Sequence, residues 1–306
     1  MPEKLILVTK QYHNTRIDKV ISDDLAEDSI SRSYIQKLIK DGLVLVNDKA
    51  VKSNYKVSEG EKILINIPEP ETLDLIAEDI PLDIIYEDED VLIINKPKGM
   101  VVHPSAGHNS GTLVNACLFH CKDKLSEING VLRPGIVHRI DMNTTGSLIV
   151  CKNNNSHNYI ADQLAIHSIT RIYRGIVLGV IKEENGRIDA PISRHKTDRK
   201  KMAINPDGKD ARTNYKVLKR FKNYTYVEFS LETGRTHQIR VHMASIGHPL
   251  LGDEVYGPSK CPIKGLTGQT LHAMTIGFIH PTTKKYVEFQ APIPEYFQEL
   301  LKKLPE

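Results

Sequence analysis

The sequence predicts an α+β protein of two domains, and three observations carry that prediction. Residues 12–68 read as a helix followed by short hairpin-like strands. An acidic, proline-interrupted stretch follows. From Ile84 onward, many strand-like runs are mixed with helical patterns, without the regular βαβ alternation that builds a parallel sheet, so a mixed, mainly antiparallel sheet with flanking helices is expected.

Taken in order, residues 1–11 stand apart as an N-terminal segment. In the 12–68 module, Ser31 can cap a helix through RSYIQKLIK, where Ile35, Leu38 and Ile39 share one face at i, i+3, i+4 spacing. Gly42 suits the left-handed position that ends such a helix. LVLVN, a turn at Asn47-Asp48-Lys49 and the alternating EKILINIP then read as strands. Residues 69–83, interrupted by Pro70 and Pro81, read as a linker. In the domain from 84 to 306, the strand-like runs are DVLIINKP, GSLIVCK, IYRGIVLGVI, YTYVEFSLE, LHAMTIGFIHP and KYVEFQAP, with helices at SHNYIADQLAIHS and HQIRVHMASI.

With 306 residues and 40% apolar content, the chain can fill one large core and one small one. It has no apolar run of 18 residues, and MPEKLILVTK lacks the features of a signal peptide, so a cytosolic protein is expected. Four cysteines suit a reducing compartment. Cys117 and Cys121 flank His120, but no second ligand pair lies at metal spacing, and no metal site is expected. The net charge is only +3, yet residues 188–222 hold eleven Lys or Arg against four Asp. Such a run is either a solvated loop or a contact for a polyanion. There is no Walker A sequence, no GxGxxG after a strand, no GxSxG and no HExxH, which leaves nucleotide-cofactor, serine-hydrolase and zinc-protease chemistry unsupported.

Two clusters remain. In RPGIVHRIDMNTTG, Asp141 precedes a Thr-Thr-Gly turn; it is either a backbone-bonding turn residue or, given a partner group and a binding surface, a working carboxylate. In TGRTHQIRVHMASIGHPLLGDEVYG, Arg235 precedes a helix whose dipole disfavours a cation there, so an anion or carboxylate should hold it. His237 and His242 lie five apart, off a shared helix face, and read as structural hydrogen-bonding residues.

Residues 12–68 resemble the S4 RNA-binding domain, which implies that the helix bearing Arg32 and Lys37 lies against RNA phosphates. The module holds nine basic and nine acidic residues, so that contact depends on clustering on one face. The blocks NKPKGMVVHP, RPGIVHRIDMNTTGSLIVCK, ITRIYRGIVLGV, TGRTHQIRVHMASIGHPLLGDEVYG and LHAMTIGFIHP together resemble the RluA family of pseudouridine synthases. With the S4-like module ahead of them, the arrangement is similar to the large-subunit ribosomal RNA pseudouridine synthase D branch. The resemblance implies an isomerase that converts uridine to pseudouridine in large-subunit (23S) ribosomal RNA, working without a cofactor, as a monomer and away from membranes. Transfer RNA, another ribosomal site or a noncatalytic assembly role are the alternatives.

The resemblance also implies roles for residues. Asp141 is the catalytic nucleophile or base, Arg235 the arginine that pairs with it, and Tyr173 the tyrosine stacked on the target uracil. Arg139 holds the flipped-out nucleotide, which a stacked duplex would hide. His138, Lys96, His103 and Ile239 line the substrate cleft, Lys96 and His103 through phosphate or structural contacts. Ile140 and Met142-Asn143 depart from the family's usual neighbours of the aspartate. The basic 188–222 segment then becomes an RNA-contacting loop that supplies sequence-independent affinity.

Overall fold

Turn chemistry sets the first of two units, Met1–Leu73 and Asp74–Glu306. The computed structural model describes residues 3–25, 32–67, 75–105, 107–122, 124–126, 128, 133–198 and 200–306, without the side chains of Glu3, Arg32, Ser33, Tyr34 and Lys37. Ser31 and Arg199, and the side chains of Arg32 and Lys37, thus lie outside the described residues.

The first unit runs β1 (Glu3–Leu7), β2 (Thr15–Arg16), α1 (Ile17–Asp24), α2 (Arg32–Lys40), β3 (Val44–Val46), β4 (Lys49–Ala50), β5 (Lys56–Val57) and β6 (Lys62–Asn66). Gly42 sits at φ +75° just past α2, and the Leu43 N–H reaches back to the Leu38 carbonyl, closing the helix as the sequence predicts. Asn47 and Asp48 both take positive φ, so two residues suffice to fold β3 onto β4. Ile35, Leu38 and Ile39 bury the predicted face of α2 in a core with Ile17, Val20, Ile63 and Ile65. The N-terminal segment is not separate: β1 pairs with β6 and extends the sheet to β1-β6-β3-β4. Ile6 is buried while Leu5 and Leu7 are exposed, an alternation that the uniformly apolar run LILV conceals.

The second unit runs β7 (Ile84–Glu87), β8 (Val91–Lys96), α3 (Leu113–Cys121), β9 (Thr145–Cys151), α4 (Asn154–Ala165), β10 (Thr170–Leu178), β11 (Asn185–Asp189), β12 (Ile192–Arg194), β13 (Met202–Ile204), β14 (Arg212–Phe221), β15 (Tyr224–Leu231), α5 (Gln238–Ser245), β16 (Leu271–Ile279), β17 (Tyr286–Gln290) and α6 (Glu295–Lys303). Nine of these strands form one sheet in the order β11-β14-β15-β10-β16-β9-β8-β7, with β17 also paired to β16. Its pairs are antiparallel except β9 with β16. The expected mixed, mainly antiparallel α+β fold is present.

Three departures from the sequence reading have physical reasons. The segment 188–222 is not a loop: it supplies the hairpin β12–β13 and the ten-residue strand β14, in which Thr213, Val217 and Phe221 face the interior while the basic residues mask the period. The described part of the linker docks on its own unit. The Glu78 N–H donates to the Asn115 carbonyl, the Asn115 side-chain amide donates to the Ile76 carbonyl, and Leu75 and Leu82 pack on the core behind α3. Finally, the parallel pairing of β9 and β16 brings Gly146 onto Ala273, where a Cβ would lie 2.2 Å from the Ala273 carbonyl oxygen, at a φ of +108° that only glycine takes easily. That contact anchors the loop bearing Asp141.

Among the described residues no helix is long and apolar enough to cross a membrane. All four cysteines are free thiols, and burial pushes the Cys117 thiol far up and the Cys121 thiol to about 11.

Candidate active site

Asp141 occupies the loop before β9, and that loop is held at its backbone. The Thr144 N–H donates to the Asp141 carbonyl, and the Met142 carbonyl accepts from the Gly99 N–H and from the Lys96 ammonium at 2.9 Å. The turn therefore uses the main chain of Asp141, which leaves its carboxylate free for other work. That carboxylate is one-fifth exposed, its Oδ2 2.9 Å from Arg240 Nη1 and its Oδ1 3.8 Å from His237 Nε2.

The ion-pair partner of Asp141 is thus Arg240 and not Arg235. Arg235 lies in the loop ahead of α5, where its backbone N–H donates to the Gln238 side chain and its Nε donates to the Asp210 carbonyl. Arg240, inside α5, turns toward the carboxylate. Its other edge forms a two-bond fork with Asp253, Nε to Oδ2 at 2.7 Å and Nη2 to Oδ1 at 2.9 Å. Burial disfavours the charge on Arg240, but Asp253 and Asp141 outweigh it and raise the pKa above its ordinary value. Burial likewise works against the Asp253 charge; the bonds from Arg240 and from the backbone of Val255 and Tyr256 win, and its pKa falls. Nothing in the sequence separates Arg240 from Arg235; the burial of Gln238 to Met243 along α5, where an arginine needs a carboxylate, is seen only in the fold.

Tyr173 reaches the same place from the sheet. Opposite it the register of β16 slips by one residue, leaving Met274 unpaired between the partners of Ile172 and Tyr173, and the Tyr173 side chain packs on two core clusters at once. Burial and the Asp141 charge raise its pKa against the pull of Arg171, so the ring is a neutral phenol near neutral pH. His237 sits at φ +57°, a left-handed conformation rare outside glycine. Its Nδ1 bonds the Tyr256 hydroxyl at 2.8 Å, and that hydroxyl accepts the Met202 N–H at 2.8 Å, tying the β12–β13 hairpin to the site. Burial lowers the His237 pKa despite Asp141 beside it. His242 is the structural residue expected of it, bonded to the Thr213 hydroxyl and the Ala190 carbonyl.

A small cleft of about 60 Å³ opens over Asp141, with Arg139, Tyr173, Arg235 and Ile239 in its wall, and further recesses open on either side of the carboxylate. Lys200 of the basic segment lines one of them. Arg139 is exposed and lies 3.2 Å from His103 Nε2. Burial, with Arg139 and Arg133 adding to it, lowers the His103 pKa to about 4. Two other expected cleft residues do structural work. Lys96 is fully buried, its ammonium shared among the carbonyls of Pro97, Met100 and Met142, which match its three donors; burial draws its pKa toward about 7 against the charge of Asp141. His138 lines one recess but spends Nε2 accepting the Ile149 N–H, and burial, with Arg171 nearby, drives its pKa to about 3.

Sequence and structure comparisons agree with this arrangement. The sequence profile of RNA pseudouridylate synthases matches residues 90–245, and that of the S4 domain matches residues 15–63. An uncharacterized RNA pseudouridine synthase of Bacillus subtilis (strain 168), YlyB, is 52% identical over 299 residues, covering 98% of this chain and 97% of its own. The ribosomal large subunit pseudouridine synthase D of Zymomonas mobilis (strain ATCC 31821 / ZM4 / CP4) is 45% identical over 318 residues, covering 99% and 98%. In fold, human RNA pseudouridylate synthase domain containing 1 superposes with a TM-score of 0.58 at 23% identity, over 78% of this chain and 99% of that one. With Asp141 clamped by an arginine beside a half-buried tyrosine in an open cleft, and with these likenesses across nearly its whole length, the chain belongs to the RNA pseudouridylate synthase family, isomerases that act on RNA, and carries an S4 domain ahead of the synthase domain.

Proposed function

We propose that this protein isomerises specific uridines of large-subunit ribosomal RNA, with Asp141 as the nucleophile or base at the ribose. The observation that carries the reading is the Asp141 carboxylate, held by Arg240 at 2.9 Å and facing the cleft beside Tyr173. Isomerisation breaks the N1–C1′ bond, forms a C5–C1′ bond and releases the C5 proton; a fixed carboxylate can attack C1′ or take a ribose proton. A neutral Tyr173 offers a flat face for the uracil, and Arg139 at the rim can fill the gap that a flipped nucleotide leaves. Lys200 and Lys201, on the hairpin tied to the site through Tyr256, offer phosphate contacts.

The choice of RNA draws support from relatives named ribosomal large subunit pseudouridine synthase D at 40–45% identity across most of the chain, and from the S4 domain, whose Arg32–Lys40 helix is its RNA-facing element in this reading. A ribosomal substrate puts the protein's work in the cytosol, where it acts as a monomer. The test is tritium release from unmodified large-subunit ribosomal RNA and from unmodified transfer RNA, each labelled at uridine C5. Release from the ribosomal RNA alone is expected; release from the transfer RNA alone contradicts the assignment.

A further inference from the structure

The recess on the β10 side of Asp141 has an electrostatic imbalance that the reaction chemistry does not use. Arg171, on β10, is 8% exposed, and its guanidinium borders this recess. Its Nη2 donates to the Glu232 carbonyl at 3.2 Å, while its buried Nε has no partner. Arg235 borders the same recess with its Nε on a carbonyl, and among the described residues neither arginine forms an ion pair with a carboxylate. Burial and the neighbouring Arg235 both work against the Arg171 charge. The guanidinium lies close against Gly234, where a Cβ would come within 2.4 Å of Arg171 Nη1.

A buried, unpaired guanidinium costs several kcal/mol unless something neutralises it. Asp141 also borders the recess, but its ion-pair partner is Arg240. Two forked cations lining one open recess suit a tetrahedral, singly charged oxyanion. We propose that Arg171 and Arg235 form a phosphate subsite that grips an RNA phosphodiester adjacent to the target nucleotide while Asp141 meets its ribose. The subsite rests on the reading of the cleft as the isomerisation site, and it gives Arg235 the anion that its position before α5 calls for. It also holds the backbone beside the flipped nucleotide, so that the ribose cannot slide away from the carboxylate.

The full-length chain, melted in rising inorganic phosphate against chloride at matched ionic strength, tests this without any choice of RNA. Phosphate at ten times its Kd should raise the Tm by roughly 3 °C. Arg171→Gln and Arg235→Gln should abolish most of that rise, and Lys302→Gln, an exposed change in α6, should keep it. A native Tm that phosphate leaves in place overturns the subsite, as does a rise of the same size in the arginine variants. If Arg171→Gln does not fold, the half-buried Arg235→Gln decides alone. Failure of the ribosomal RNA assignment would appear in tritium release and leave this result unchanged.

Discussion

At Arg240 one guanidinium meets two carboxylates, and this residue fixes where Asp141 points. Removing it would leave Asp253 buried without its cation and Asp141 without its tether. Arg240→Met should therefore destabilise the protein by about 3–5 kcal/mol, the usual cost of orphaning a buried charge, and lower the melting temperature accordingly. Arg235→Met removes no carboxylate pair and should shift the melt far less. An equal loss in both variants would contradict the assignment of the pair. The difference also shows how far residues could be read in advance. Asp141 and Tyr173 are named through the resemblance of their blocks, and the fold brings both to one cleft. Arg235 and Arg240 lie five apart in RTHQIR, and only the turn into α5, with Gln238 folded back on the Arg235 N–H, decides which one faces the aspartate. For Lys96 the sequence leaves phosphate and structural contacts open, and its burial under three carbonyls, a tertiary fact, favours the structural one.

At the scale of elements, the strands with clear alternation or long β-branched runs were legible, and β1 and β14 were not. The run LILV in and after β1 is uniformly apolar and finds its inward face only by pairing with β6, while β14 carries so many charges that its four-residue burial rhythm resembles a solvated run. Among the described residues the one parallel pair, β9 with β16, joins strands more than a hundred residues apart, and no local pattern announces it. Gly146 is the point where that pairing is tightest. Gly146→Ala should clash with the Ala273 carbonyl at a φ that alanine resists, displacing the loop that carries Asp141. The expected result is a lower melting temperature together with a fall in turnover. Full stability and native turnover in this variant would mean that the β9–β16 contact does not position the site.

In the proposed reading the molecule as a whole separates grip from chemistry: the S4 domain, the basic hairpin tethered by Tyr256 and the two arginines beside the cleft would hold RNA, while Asp141 alone would supply the reacting group. Affinity spread over many contacts should survive a change that chemistry cannot. Asp141→Asn keeps the shape of the side chain and one oxygen for Arg240, but loses the charge needed to attack C1′ or take a ribose proton. The measurement is tritium release from C5-labelled large-subunit ribosomal RNA by the native protein and by Asp141→Asn, with the RNA affinity of each determined in the same buffer. Undiminished binding with release reduced to background is the predicted result. Release by the asparagine variant at the native rate would contradict the account, because the reacting group would then lie elsewhere.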